Sequence, residues 1–74
     1  MSLMASIVRA HNVDVALGKR DAYLRVLLHV MAAQLAETDP DARNALDAVY
    51  VSVSVMHEEA KAEYEAAKAV PSDA

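Results

Sequence analysis

The chain has 74 residues, a net charge of −4 and no cysteine, which predicts one small domain without disulfide bonds or thiolate metal sites. The negative charge argues against a protein that binds nucleic acids or membrane surfaces through a generally basic surface. Hydrophobic residues make up 55 % of the chain, but sixteen of them are alanines, which favour helix and bury little area. A domain of this size usually gains stability from another chain when disulfides are absent.

No stretch of the sequence is typical of a membrane span or a signal peptide. The longest apolar stretch, Val26 to Ala36, is interrupted by His29 and Gln34 and is shorter than the roughly 18 residues that a span needs. We therefore expect a soluble, cytoplasmic protein. Residues 1–3 precede a second methionine, Met4, and we expect them to be the remnant of an expression vector.

The first predicted helix covers residues 15–37, and the residues before it allow two alternatives. Apolar residues such as Ile7 extend the helical pattern backwards, which predicts one continuous helix from about residue 6. Asp14 instead favours a break, as the N-cap of a helix that begins at Val15 after a short extra N-terminal helix. The sequence pattern alone does not decide between a continuous helix and a break at Asp14.

An apolar stripe runs along the first helix at steps of seven, four, three and four residues, through Leu17, Leu24, Leu28, Met31 and Leu35. This spacing places the stripe on one side of an α-helix. Further apolar residues beside it widen the apolar face beyond what one neighbouring helix covers. Gly18 lies inside the pattern and indicates either a local weakness or the close approach of another helix.

The sequence Thr38-Asp39-Pro40 separates the first helix from a second one. Proline suits the first turn of a helix, where its missing N–H is not needed. Asp39 or Thr38 is expected to cap this helix, and Asp41 places negative charge near the positive end of the helix dipole. The chain is therefore expected to turn back on itself and form an antiparallel helical hairpin.

The second helix is predicted over residues 40–69, followed by a frayed tail over residues 70–74. Its apolar stripe runs through Ala42, Leu46, Val49, Val53, Met56 and Ala60. Residues 48–56 also alternate valine with other residues, which is typical of a strand. We favour helix because the stripe continues through this segment without a slip and no turn residue interrupts it.

No motif in the sequence points to catalysis, a cofactor or a metal. His57-Glu58-Glu59-Ala60-Lys61 begins like the zinc-protease helix motif but has lysine where the second histidine is needed. Asp14 and Asp21 lie on the first apolar stripe, and in a hairpin Asp21 falls roughly opposite His57. These three residues are a possible polar site, either a pH-sensitive contact or part of a ligand or metal site at a dimer interface.

The basic residues of the chain are concentrated in its first half. Residues 1–36 carry a net charge of +2 and residues 37–74 a net charge of −6. We favour attraction between two antiparallel helices as the reason for this distribution. The alternative is a basic face for nucleic acid on the first helix, formed by Arg9, Lys19, Arg20 and Arg25.

These observations predict an all-α fold, a helical hairpin that dimerises into a four-helix bundle. The expected function is a small non-enzymatic interaction or scaffolding module, whose partner is a second copy of itself, in a homodimer or higher oligomer, or another protein. The expected oligomer interface consists of Leu24, Leu28, Met31, Leu35, Leu46, Val49, Val53 and Met56. The alternatives are a nucleic-acid-binding regulator that uses the basic face, and a ligand or metal site at the dimer interface.

Overall fold

A computed structural model describes residues 3–69, which form two α-helices joined by a three-residue connection. Helix α1 covers Leu3–Ala36 and helix α2 covers Pro40–Ala69. The two helices pack side by side in opposite directions, so the predicted all-α hairpin is confirmed. The hairpin is a rod 58 Å long with a radius of gyration of 17.1 Å, whereas a compact domain of this length has a radius near 11 Å.

Helix α1 is continuous, and it begins at Leu3 rather than at residue 15. The structure therefore has no break at Asp14 and no separate N-terminal helix. Asp14 lies on the exposed side of α1, where its side chain stays in water and an N-cap role is not needed. Residues 1, 2 and 70–74 lie outside the described residues, and so do most of the expected vector remnant and the whole expected tail.

Helix α2 has the predicted bounds, and residues 48–56 belong to it rather than to a strand. Residues two apart on a helix point about 200° apart, so an alternating run is spread around the helix. Val53 is half-buried against α1, whereas Val49, Val51 and Val55 are exposed on other sides. The valine alternation therefore gives α2 apolar surface on several sides.

The connection between the helices is held by side chains from both of its ends. The carboxylate of Glu37 accepts hydrogen bonds from the backbone N–H groups of Thr38 and Asp39, each at 3.0 Å. Arg43 donates from its guanidinium to the Glu37 carbonyl oxygen at 2.8 Å, and its backbone N–H bonds to the Asp39 carbonyl at 2.9 Å. Asp39 thus holds the N-cap position, and the Glu37 carboxylate, which the sequence pattern did not indicate, binds the backbone of the connection.

The core between the helices is small. Only Ala16, Leu27, Val30 and Ala60 are buried among the described residues. Half-buried residues continue the contact along both helices at steps of three and four, the spacing of two helices packed along one seam. These are Ser6, Arg9, Val13, Leu17, Arg20, Tyr23 and Gln34 on α1, and Ala42, Leu46, Tyr50, Val53, His57, Tyr64 and Ala67 on α2, with Ser54 also half-buried beside Val53.

Apart from Leu17, which is half-buried in the contact, the predicted stripe on α1 does not face α2. Leu27 and Val30 face α2, and their neighbours Leu28 and Met31 point outward. Two apolar stripes on α1 are therefore one residue apart, and the hairpin uses only one of them. The stripe through Leu24 also carries Asp14 and Asp21, and facing it towards α2 would take both carboxylates out of water at considerable cost.

Gly18 lies on the exposed side of α1, and a Cβ atom added there meets nothing within 4 Å. Close packing in the hairpin therefore does not require a glycine at this position. We expect Gly18→Ala to raise the free energy of unfolding by about 0.5–1 kcal/mol, because alanine restricts the unfolded chain more. Urea unfolding followed by circular dichroism measures the change.

A matched control is Ala32→Gly, which makes the reverse change two helical repeats further along the same exposed side of α1. It should lower the free energy of unfolding by a similar amount. A loss of stability in Gly18→Ala would contradict the prediction and indicate that another chain packs closely on this side.

Candidate interaction surface

The hairpin has two long flanks, one on either side of the plane that contains both helix axes. The Lys19 ammonium and the Glu63 carboxylate identify one flank, because they meet across the seam at 2.8 Å. Residues seven apart on a helix lie on nearly the same side. Val26 on α1 and Met56 on α2 therefore lie on this flank. We call it the opposite flank, because it lies opposite the flank that carries the exposed leucines.

The other flank carries the predicted apolar stripe of α1 from Leu24 onward. Leu24, Leu28, Met31 and Leu35 are 43 %, 57 %, 43 % and 88 % exposed. They follow one another within about 18 Å of helix and have no cover in the single chain. We call this surface the leucine flank. Its α2 part consists of the residues on the same side of the hairpin, which are Asp47, Val51, Ser54, Glu58 and Lys61.

The eight residues of the predicted oligomer interface do not lie on one surface. The four from α1 form the leucine flank. Leu46 and Val53 are half-buried in the seam between the helices. Val49 and Met56 lie on the opposite flank, since they precede Glu63 by fourteen and seven residues. The periodicity of the two helices did not reveal which of their stripes share a side.

The depressions on the surface of the described residues are shallow and open. One has a volume of about 550 Å³, and α2 alone lines it, from Tyr50 to Ala62. A second, of about 290 Å³, lies between the helices around His11 and Glu63. The first is the outer surface of one helix, with mostly apolar walls, and resembles a contact surface more than an enclosed site.

The open end of the hairpin is held by polar contacts around Tyr64. The Arg20 guanidinium lies 4.7 Å from the centre of the Tyr64 ring, and the Lys68 ammonium lies 4.9 Å from it. Arg9 reaches across from α1 and donates to the Lys68 carbonyl oxygen at 2.9 Å. Cation–π contacts and hydrogen bonds therefore stabilise this end, where the seam has few large apolar side chains.

The predicted basic face is divided between different sides of α1. Arg9, Lys19 and Arg20 contact α2 through the interactions described above, and Lys19 in addition neutralises Glu63. Arg25 lies on the outward side beside Asp21 and Leu24. The structure thus uses most of these cations to join the helices, and it does not present them together to a nucleic acid.

The possible polar site is not assembled in the single chain. Asp21 is exposed, and its carboxylate lies 3.5 Å from the Arg20 guanidinium. His57 is half-buried in the seam, while Asp14 is exposed on the leucine flank. Within residues 3–69, no group of three or more histidine, aspartate or glutamate side chains is placed to hold a metal ion.

Neither α1 nor α2, over the residues described, is long and apolar enough to cross a membrane. Comparison of the chain with protein-family models, with curated proteins and with solved structures finds no match. The surface of the hairpin is therefore the basis for any functional inference.

The contact between Arg20 and Tyr64 can be measured by a double-mutant cycle. Arg20→Met and Tyr64→Leu each keep an apolar side chain but remove the cation or the ring. We expect a coupling free energy of about 0.5–1 kcal/mol, which is the usual contribution of a partly exposed cation–π contact. Urea unfolding of the two single variants, the double variant and the parent chain gives the value. Additive effects would contradict the contact.

The ion pair between Lys19 and Glu63 should make stability depend on alkaline pH. Its hydrogen bond and charge raise the pKa of Lys19 above the ordinary value of 10.5. The folded chain thus holds this proton more tightly than the unfolded chain. The pair therefore stabilises the hairpin below the ordinary pKa, and its contribution is lost as pH rises through the raised pKa.

We expect Lys19→Gln to lower the melting temperature more than Lys61→Gln at neutral pH. Lys61 is similarly exposed, but it pairs only within α2, with Glu58 at 3.4 Å. The difference between the variants should shrink as the pH rises past 10.5. Thermal unfolding followed by circular dichroism tests this. An equal decrease in melting temperature in both variants at neutral pH would show that the interhelical pair stabilises the hairpin no more than a pair within α2.

Proposed function

We propose that this protein is a self-associating interaction module. Two copies pair through their leucine flanks into a four-helix bundle, and the paired hairpins act as a scaffold or binding protein, with no catalytic step. The observation that carries the proposal is the imbalance between buried and exposed apolar residues. Among residues 3–69, fourteen large hydrophobic side chains are exposed and four hydrophobic residues are buried, far more exposure than isolated surface hydrophobics account for.

The surface area of the single chain supports the same proposal. Its accessible surface is 5295 Å², whereas a compact monomer of 8.0 kDa is expected to expose about 4,450 Å². The excess, about 850 Å² per chain, is close to the roughly 800 Å² that each partner contributes to an interface of standard size. One interface with a second copy would therefore give this chain the burial of an ordinary domain.

The leucine flank is the better candidate of the two flanks for this interface. Its side chains are larger, and Leu28 and Leu35 are more exposed than Val26, Val49 or Met56 on the opposite flank, which are 43–45 % exposed. The opposite flank also carries the Lys19–Glu63 ion pair. Covering that flank would take the ion pair that joins the two helices out of water, whereas the Lys61–Glu58 pair on the leucine flank lies within α2 and does not hold the hairpin together.

The proposal predicts that the chain has twice the mass of the monomer in solution and that dilution separates the copies. We expect dilution to nanomolar concentration to reduce helicity, because the thin core of one hairpin gives little stability alone. Light scattering and circular dichroism on the same samples measure mass and helicity. A monomer at all concentrations, or helicity unchanged on dilution, would contradict the proposal.

Two aspartate variants distinguish the flanks. Leu24→Asp and Val26→Asp change residues that are equally exposed, at 43 %, on the same helix but on different flanks. Only Leu24→Asp should dissociate the dimer, because only there does association bury an unpaired charge. Val26→Asp is the matched control for any effect on α1 itself. Dissociation by Val26→Asp alone would place the interface on the opposite flank.

A further inference from the structure

The apolar side chains of the leucine flank come almost entirely from one helix. Leu24, Leu28, Met31 and Leu35 all belong to α1. The helical repeat of α2 places five of its residues on this side, which are Asp47, Val51, Ser54, Glu58 and Lys61. All of them except Val51 are polar or charged. A second copy that covers the flank therefore meets one apolar helix and one polar helix, side by side.

A twofold axis allows two ways to stack the leucine flanks of two copies. With both connections at the same end, α1 of each copy covers α2 of the other. With the connections at opposite ends, α1 covers α1 and α2 covers α2. The two arrangements differ in what the exposed leucines touch, so the difference between α1 and α2 decides between them.

The first arrangement places apolar side chains on polar ones. Leu28 and Leu35 would lie over Ser54 and Asp47 of the second copy, taking a carboxylate out of water without a partner. The second arrangement brings the apolar residues of the two α1 helices together and stacks the two polar α2 helices on each other, so that Asp47 faces the segment of the second copy that contains Ser54 and Glu58. Two exposed like charges in water repel weakly compared with the cost of burying one of them.

We propose, resting on the self-association proposed above, that α1 packs antiparallel against α1 of the second copy, with the twofold axis between Leu28 and Met31. The stripe has steps of four, three and four residues, so it fits its own reversed copy. Leu24 then lies opposite Leu35, and Leu28 opposite Met31. Asp21 lies at the end of the contact, level with the start of the connection in the second copy, where its carboxylate stays in water.

Disulfide formation between single-cysteine variants tests this register, because the chain has no cysteine of its own. A disulfide requires Cα atoms about 4.4–6.8 Å apart. Leu24→Cys, mixed with a tagged Leu35→Cys chain and mildly oxidised, should form mostly the mixed dimer. Neither variant should couple to its own copy, because identical positions lie roughly 16 Å apart along the helix in this register. Gel mobility separates the three products.

A second pair guards against loss of folding when leucine is replaced. Asp21→Cys on α1 and Thr38→Cys in the connection just after α1 change exposed polar residues near the two ends of the stripe, so no apolar cover is lost. They should also couple to each other and not to themselves. Val26→Cys on the opposite flank is the matched control and should form no disulfide. Light scattering before oxidation confirms that each variant is dimeric.

Three results would overturn the antiparallel arrangement while leaving self-association intact. Coupling of Leu24→Cys to Glu58→Cys, which lies level with it along the rod, places the connections at the same end. Coupling of Leu24→Cys to its own copy places the two α1 helices parallel or shifts the axis to that residue. A dimer that forms no disulfide through this flank has its interface elsewhere. A monomeric parent chain, in contrast, overturns the proposed function itself.

Discussion

The position of two carboxylates on α1 decides which side of this helix packs against α2. Asp14 and Asp21 lie on the stripe that also carries Leu24 and Leu28. Burying an uncompensated carboxylate costs several kcal/mol, more than the gain from one additional leucine. The hairpin therefore uses the neighbouring stripe, with Leu27 and Val30 in the seam. The leucine flank and the small core are both consequences of this choice.

The two ends of the rod are stabilised by different interactions. Near the connection, Leu27 and Val30 are buried and Glu37 satisfies the backbone groups of the turn. At the open end, Tyr64 lies between two cations, and Arg9 bonds to the last turn of α2. Exposed polar contacts of this kind contribute less each than buried apolar side chains do. The exposed leucines thus lie on the half of the rod where the seam buries its large apolar side chains, Leu27 and Val30.

The spacing of apolar residues predicted the hairpin and the bounds of α2. It also predicted apolar surface that one neighbouring helix cannot cover. It did not show which apolar residues share a flank. Leu28 and Val49 both lie on regular stripes, yet the hairpin places them on opposite sides. A period defines angles around one helix axis only. The rotation of α2 relative to α1 depends on the contacts between them, such as that of Lys19 with Glu63.

The sequence by itself determined that this chain is helical, that it turns at Thr38-Asp39-Pro40 and that its apolar surface exceeds the capacity of one hairpin. These properties depend on local propensity and on spacing along the chain. Only the tertiary structure decided that α1 continues through Asp14 and that Arg9, Lys19 and Arg20 join the two helices. It also decided that the stripe of Leu24, Leu28, Met31 and Leu35 remains uncovered. The physical reason is that the cost of burying each side chain depends on what the other helix places opposite it.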